Sequence, residues 1–381
     1  MLYAGIIIGG VIFVVNCYKT YPLEVSCLII LAVATLVFEL FKGVFSMSIV
    51  TKPQVKEEVI RHLKRHNNQH KKGLAQEFEA TLNGHILGQK SVVNSLVRGV
   101  VTHYRNSTQE KADPPLPYPV LILGATSTGK TELARQLFKL LDPLGYSEIE
   151  IINASADINT LFGTPMGVYG DEGVLPKFSK RNNGWGFVLG DEMEKWFRPD
   201  LPVALPMNDL FGTGFATSIK DNKPYNLRNT IWVFTSNYEA EYLTSLAVKY
   251  RDDPKKLENQ ARAVIKDNLC SPEFLERVKK VLVMEPISQE VAVTIAQRAV
   301  DKVISKHSVK VEEFDSKIIS KAIIDSNPEQ RGARAIFSWV NEHVSMPLNE
   351  ADEDEAASVK LLMGESEVRA EIVRYRDDEH V

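Results

Sequence analysis

Eight consecutive residues constrain this chain more than any others: Gly124, Ala125, Thr126, Ser127, Thr128, Gly129, Lys130 and Thr131. They fit the pattern G-x-x-x-x-G-K-[ST] and stand where that pattern has a mechanism. Ahead of them Pro119-Val-Leu-Ile-Leu123 is apolar and partly β-branched, which reads as a buried strand. Behind them Glu132-Leu-Ala-Arg-Gln-Leu-Phe-Lys-Leu-Leu141 reads as a helix. Glycines let backbone N–H groups turn inward around phosphate oxygens, and the positive end of the helix adds to that field. Lys130 would reach the β- and γ-phosphates of ATP, and the Thr131 hydroxyl would hold Mg²⁺. An ordinary glycine-rich turn is the competing reading, but strand, loop, Lys-Thr pair and helix all agree on a nucleoside triphosphate.

Further polar groups stand at the ends of apolar runs. Asp191 closes Gly184-Trp-Gly-Phe-Val-Leu-Gly190 and is suited to be the second Mg²⁺-holding carboxylate. Glu192, next in line, is suited to polarise an attacking water as general base. Asn237 ends Thr230-Ile-Trp-Val-Phe-Thr-Ser236, where its amide would orient the same water. Additional strands are expected at 149–153 and 281–284. Strands alternating with helical stretches predict an α/β fold with a mainly parallel sheet, in which groups at the carboxyl ends of strands lie beside the ligand. After Pro286 the pattern becomes helical at 289–307, 316–326 and 334–349, followed by a strand pair at 358–363 and 368–375.

The first part of the chain is of another kind. Residues 2–18 are apolar apart from Asn16, and 25–38 are uncharged, with Leu40 and Phe41 beyond Glu39. Each run has the minimum length of a membrane-spanning helix. No Lys or Arg precedes the first run and a second run follows, which argues against a cleaved signal peptide. Only Lys19 lies between the runs, whereas Lys42, Lys52, Lys56, Arg61, Lys64, Arg65, Lys71 and Lys72 follow them. The positive-inside rule then predicts a helical hairpin, or a single anchor, with the rest of the chain cytoplasmic. Residues 53–82 read as helical, with Val55, Val59, Ile60 and Leu63 on one side. His62, His66 and His70 share a helical spacing. No carboxylate or cysteine completes a metal site, and the bland reading is a basic helix against anionic headgroups. The expected domains are 1–50 (anchor), 51–82 (basic linker), 83–286 (nucleotide-binding) and 287–381 (small domain).

Composition excludes little. The net charge of −4 over 381 residues gives no global pull toward nucleic acid. Three cysteines, widely placed, supply neither a zinc spacing nor a disulfide framework.

From Gly84 onward the ordered motifs resemble the Clp-type AAA+ ATPases, in particular the C-terminal ATPase module of the ClpA/ClpB unfoldases. His85-Ile86-Leu87-Gly88-Gln89 is similar to the box that packs on adenine, which makes Ile86 and Leu87 base contacts. Gly124 to Glu132 resembles the Walker A segment and Asp191-Glu-Met-Glu-Lys195 the Walker B segment. Arg228-Asn-Thr230 and Thr235-Ser-Asn237 resemble the strand carrying sensor 1. Ser271-Pro-Glu-Phe-Leu-Glu-Arg277 is similar to the arginine-finger segment, and Gly332-Ala-Arg334 to sensor 2, with Pro347-Leu348 downstream. The resemblance implies a ring, a hexamer, with Arg277 acting on the neighbour's nucleotide and Arg334 on its own subunit's γ-phosphate. It also implies an aromatic pore loop that pulls polypeptide. Here that loop carries Val168-Tyr169 in the reverse of the family's Tyr-Val order and is one residue shorter. No Ile-Gly-Phe or Ile-Gly-Leu element follows Asn237, so no Clp-type peptidase partner is expected, and no His-Glu-x-x-His supplies a protease zinc site. The expected role is remodelling of protein substrates, or of a membrane-associated complex, by a ring at the bacterial plasma membrane. The rivals are an assembly factor that switches oligomeric state without threading and, third, a DNA motor. The basic residues beside the membrane segments disfavour the last of these.

Overall fold

The computed structural model describes residues 52–68, 70–109, 115–146, 149–153, 155–365 and 367–375. The apolar runs expected to form a membrane hairpin lie outside these residues. Among the described residues no helix is long and apolar enough to cross a membrane.

Helix α1 (Lys52–Asn68) and α2 (Leu74–His85) divide the stretch expected to be one helical linker, with Gly73 turning the chain between them at φ 72°. In α3 (Lys90–Thr108) the buried Val93, Leu96, Val97, Val100 and Tyr104 recur every three or four residues, which makes one apolar stripe. Then come β1 (Tyr118–Leu123), α4 (Lys130–Leu141), β2 (Ile149–Ile152), α5 (Ile158–Phe162), α6 (Val174–Asn182) and β3 (Trp185–Gly190). They are followed by α7 (Ala204–Thr213), the short hairpin of β4 (Phe215–Thr217) and β5 (Pro224–Asn226), and β6 (Asn229–Ser236). Helices α8 (Ala240–Lys249), α9 (Pro254–Ile265) and α10 (Pro272–Arg277) lead to β7 (Lys280–Val283).

The main sheet is parallel, in the order β2-β3-β6-β1-β7. Its central strands are apolar throughout because both faces are covered. Alternation sorts their side chains: Val120, Ile122, Phe187, Leu189, Ile231 and Val233 face the core built with α2, α3 and α4. Leu121, Leu123, Val188, Trp232 and Phe234 face the opposite core, where Phe234 packs edge-on to Phe274 at 5.7 Å between ring centroids. This order sets β3, β6 and β1 side by side, so their carboxyl ends open onto one place.

The C-terminal part has its own core. Helices α11 (Gln289–Ile304), α12 (Lys317–Ser326), the short α13 (Pro328–Arg331) and α14 (Ala333–Glu353) pack with a three-stranded sheet. In that sheet β9 (Ala356–Met363) pairs antiparallel with β10 (Val368–Tyr375) and parallel with β8 (Lys310–Phe314). Strand β8 escapes sequence reading because Glu312-Glu313 interrupts its apolar alternation, and its register shifts between Val311 and Glu313.

Candidate functional site

A cavity of about 790 Å³ lies at the carboxyl ends of the central strands and is closed on its far side by α11 and α14. The loop from Thr126 to Gly129, with Lys130 and Thr131, forms its floor, and Gly129 caps α4 in a left-handed conformation. Lys130 is only 6% exposed. Its ammonium donates to the carbonyls of Gly124 and Ala125 and to Asn237 Oδ1, each at 2.7 Å. Asn237 follows β6, so the phosphate loop and the polar end of the neighbouring strand meet directly.

Asp191 follows β3. Its Oδ1 accepts from the Thr131 hydroxyl at 2.9 Å and from the Thr235 hydroxyl at 2.5 Å, while its carbonyl accepts from Trp196 Nε1 at 2.9 Å. The carboxylate is therefore oriented from both sides. Thr131 and Asp191 make an all-oxygen pair of the kind Mg²⁺ accepts alongside waters and substrate phosphates. Among the described residues no group of three or more His, Cys, Asp or Glu gathers as a metal cage.

Glu192 sits in the left-handed region at φ 50° and ψ 51°, a conformation that a non-glycine residue holds at some cost and that concentrates at functional sites. Its N–H donates to Thr235 Oγ1 at 3.2 Å, and its Oε2 accepts from Lys195 Nζ at 2.6 Å. Glu194, part of the Asp191–Lys195 segment, is brought to Asn237 by the tertiary structure. Its Oε1 lies 3.4 Å from both the N–H and the Nδ2 of Asn237. Its Oε2 is buried without a hydrogen-bond partner among the described residues. Thr235, near the end of β6 and two places before Asn237, joins the site through its contacts with Asp191 and Glu192.

Ile86 and Leu87 line the cavity with Ile287 and Ile295 of the small domain and make its apolar part. Gln89 turns away from it. Its side-chain amide pairs with the backbone of Glu285, Nε2 to O and Oε1 from N, both at 2.9 Å. That pair bolts the start of α3 to the segment after β7.

Arg334 lines the cavity from the first turn of α14, together with Arg135, Arg298 and Lys302. The last two lie on α11 at i and i+4, so one helix face presents both cations. Gly332 makes the approach of α14 possible. It holds φ 74° and ψ 179°, and an added Cβ would lie 2.6 Å from Ser127 Cβ and 2.7 Å from the Thr126 carbonyl. Ala333 N donates to the Ser127 carbonyl at 3.1 Å, which ties the small domain to the phosphate loop itself.

Two of the named features lie elsewhere. Arg277 ends α10, donates to the Glu273 carbonyl at 2.5 Å and is not among the cavity's lining residues. Val168 and Tyr169 lie on the loop between α5 and α6. Tyr169 is wholly exposed and Val168 is 57% exposed. The neck of that loop is narrow. A Cβ on Gly173 would meet Gly163 N at 2.4 Å, and Thr164 N donates to the Asp171 carbonyl at 3.1 Å. Ion pairs from Lys177 to Asp171 and from Lys180 to Glu172 anchor its return limb, and Lys220 Nζ donates to the Gly170 carbonyl at 2.9 Å. The tip is thus exposed on a braced base.

Burial lowers the Lys130 ammonium from its ordinary value to about 8, and Glu194, Asp191 and Glu192 partly offset this. A triphosphate favours the charged form, so binding near pH 9 will draw a proton onto Lys130. Below about pH 8 the ammonium is already charged and affinity will not change through this group. Above it, affinity will fall by up to about tenfold per pH unit. Titration calorimetry in buffers of different ionisation enthalpy measures the proton uptake. Equal affinity and no uptake between pH 7.5 and 9.5 would contradict the role of Lys130.

Comparison with known proteins finds similar sequences and folds. Residues 118–281 match the family described as AAA domain (Cdc48 subfamily). The chaperone protein ClpB of Prochlorococcus marinus is 29% identical over 256 residues, which is 65% of this chain and 28% of that protein. The ATP-dependent Clp protease ATP-binding subunit ClpC of Staphylococcus aureus is 27% identical over 287 residues, 72% of this chain and 34% of that one. The chain therefore spans about a third of the length of these curated relatives. In fold it is similar to Hsp104 with ATPγS and FITC-casein in a closed state, at a TM-score of 0.64 and 19% identity, covering 78% of this chain and 52% of that one. The extended Saccharomyces cerevisiae Hsp104–casein complex gives a TM-score of 0.64 at 21% identity, covering 79% of this chain and 53% of that one.

Proposed function

We propose that the chain is a Clp-type AAA+ ATPase that couples Mg²⁺-dependent ATP hydrolysis to the unfolding or disassembly of protein substrates beside a membrane. In this reading Lys130 holds the β- and γ-phosphates, and Thr131 and Asp191 hold Mg²⁺. Glu192 takes the proton from the attacking water, and Asn237 orients that water. The chain forms a ring, a hexamer, with ATP at subunit interfaces. Arg334 and Gly332 link the nucleotide to the small domain, so loss of the γ-phosphate changes the angle between the two parts. The apolar runs at 2–18 and 25–41 anchor the ring as a hairpin in the bacterial plasma membrane, with the ATPase on the cytoplasmic side.

One observation carries the threading part of this proposal: an aromatic ring wholly exposed at the tip of a braced loop. An exposed tyrosine has no folding advantage to repay its solvent contact. Aromatic side chains supply large contact area at low entropy cost, which suits grip on any passing backbone. Tyr169→Ala is expected to leave basal ATP hydrolysis nearly intact while abolishing unfolding of a tagged substrate and stimulation by unfolded polypeptide. Normal substrate processing by the variant, or loss of ring assembly, would shift the reading to an oligomeric switch that does not thread.

A further inference from the structure

Helix α1 packs with its polar side inward. Arg65 is 7% exposed, and its guanidinium lies 4.8 Å over the Trp185 ring and donates to the Gly145 carbonyl at 3.0 Å and to Glu58 at 2.7 Å. Lys64 and Asn68 face the same side, toward Asp142 and Pro143. The apolar residues are left on the outside: Val59, Ile60 and Leu63 are 53%, 44% and 52% exposed. They sit at i, i+1 and i+4, one contiguous patch on the helix. Water alone does not favour this arrangement, because turning the helix to bury the three would remove their remaining apolar surface from solvent. Such a patch marks a contact surface.

Its position selects the occupant. The second apolar run ends at Phe41 and α1 begins at Lys52, so extended chain allows at most about 40 Å between them. From Val59 to Asn67 the outward residues are apolar, His or Asn, and none carries a carboxylate. We propose that this face of α1 lies in the headgroup–acyl boundary of a bilayer, with Val59, Ile60 and Leu63 inserted. Arg65 on the opposite side clamps the helix to the ATPase body. The helix then fixes the height and tilt of the ring above the membrane, which a flexible tether does not do. This inference rests on the membrane-anchored reading above.

The test uses the full chain with Cys17 and Cys27 replaced by Ser, reconstituted in phosphatidylcholine vesicles containing phosphatidylglycerol. A nitroxide is placed at Leu63→Cys or, for comparison, at Ile324→Cys, an exposed position of the small domain. The Leu63 label is expected to be several-fold more accessible to oxygen than to a water-soluble nickel complex, and the Ile324 label to show the reverse. A Leu63 label as open to nickel as Ile324 would overturn the proposal. A label shielded from both probes would replace it with a protein contact, such as a second copy. Alkaline carbonate extraction of the same vesicles separates the two claims. Release would remove the integral anchor, whereas retention with a water-exposed Leu63 would remove only the interfacial helix.

Discussion

Replacing Glu192 by Gln will lower the turnover of ATP by about 10²–10⁴-fold while leaving nucleotide bound. The amide keeps the shape of the carboxylate but cannot accept the proton that leaves the attacking water. Glu192 is positioned for that role by its left-handed backbone, by the Thr235 hydroxyl on its N–H and by its place directly after Asp191. The variant retains Lys130, Thr131 and Asp191, so fluorescent-nucleotide binding will stay near the native level. Lys130→Ala will do the opposite and lose binding, because it removes the buried ammonium at the floor of the loop. Native turnover in the Glu192→Gln protein would show that the base lies elsewhere, with Glu194 the next carboxylate to examine. On the proposed membrane-anchored reading, the same variant purified from membranes is expected to retain substrates for identification.

Arg277→Ala is expected to cost about 10³–10⁵-fold in hydrolysis, the range of an arginine that stabilises charge as the γ-phosphate leaves. Arg277 stands outside its own subunit's cavity, so a direct effect of that size requires it to act on a neighbour. Subunit mixing reads this out. Arg277→Ala subunits keep a normal Glu192, and Glu192→Gln subunits keep a normal Arg277. Where the two adjoin in the right order, one site regains both groups and hydrolysis returns. Absence of activity at every mixing ratio, in rings shown to be mixed, would place the effect of Arg277 within its own subunit. Its contact with the Glu273 carbonyl would then make it a brace for α10.

Residue order alone carries the nucleotide chemistry because each part of it is local. A phosphate loop needs a strand before it, a helix after it and glycines between. Asp191 is marked by ending an apolar run downstream of the phosphate loop, Asn237 only by the company of the resembling motifs around it, and continuous apolarity in 119–123 and 184–190 says that both faces of those strands are covered. Nothing local says which strands are neighbours. Only pairing in the order β3-β6-β1 sets Thr235 against Asp191 and Lys130 against Asn237. The same holds for Glu194 below Asn237 and for Gly332 on Ser127, contacts made across large sequence separations. Helix α1 shows the limit most plainly. Helical periodicity puts Val59, Ile60 and Leu63 on one side, but a period has no sign and does not state which side meets the protein. The tertiary structure chose the polar side, because Trp185 and the Gly145 carbonyl offer Arg65 a ring face and an acceptor.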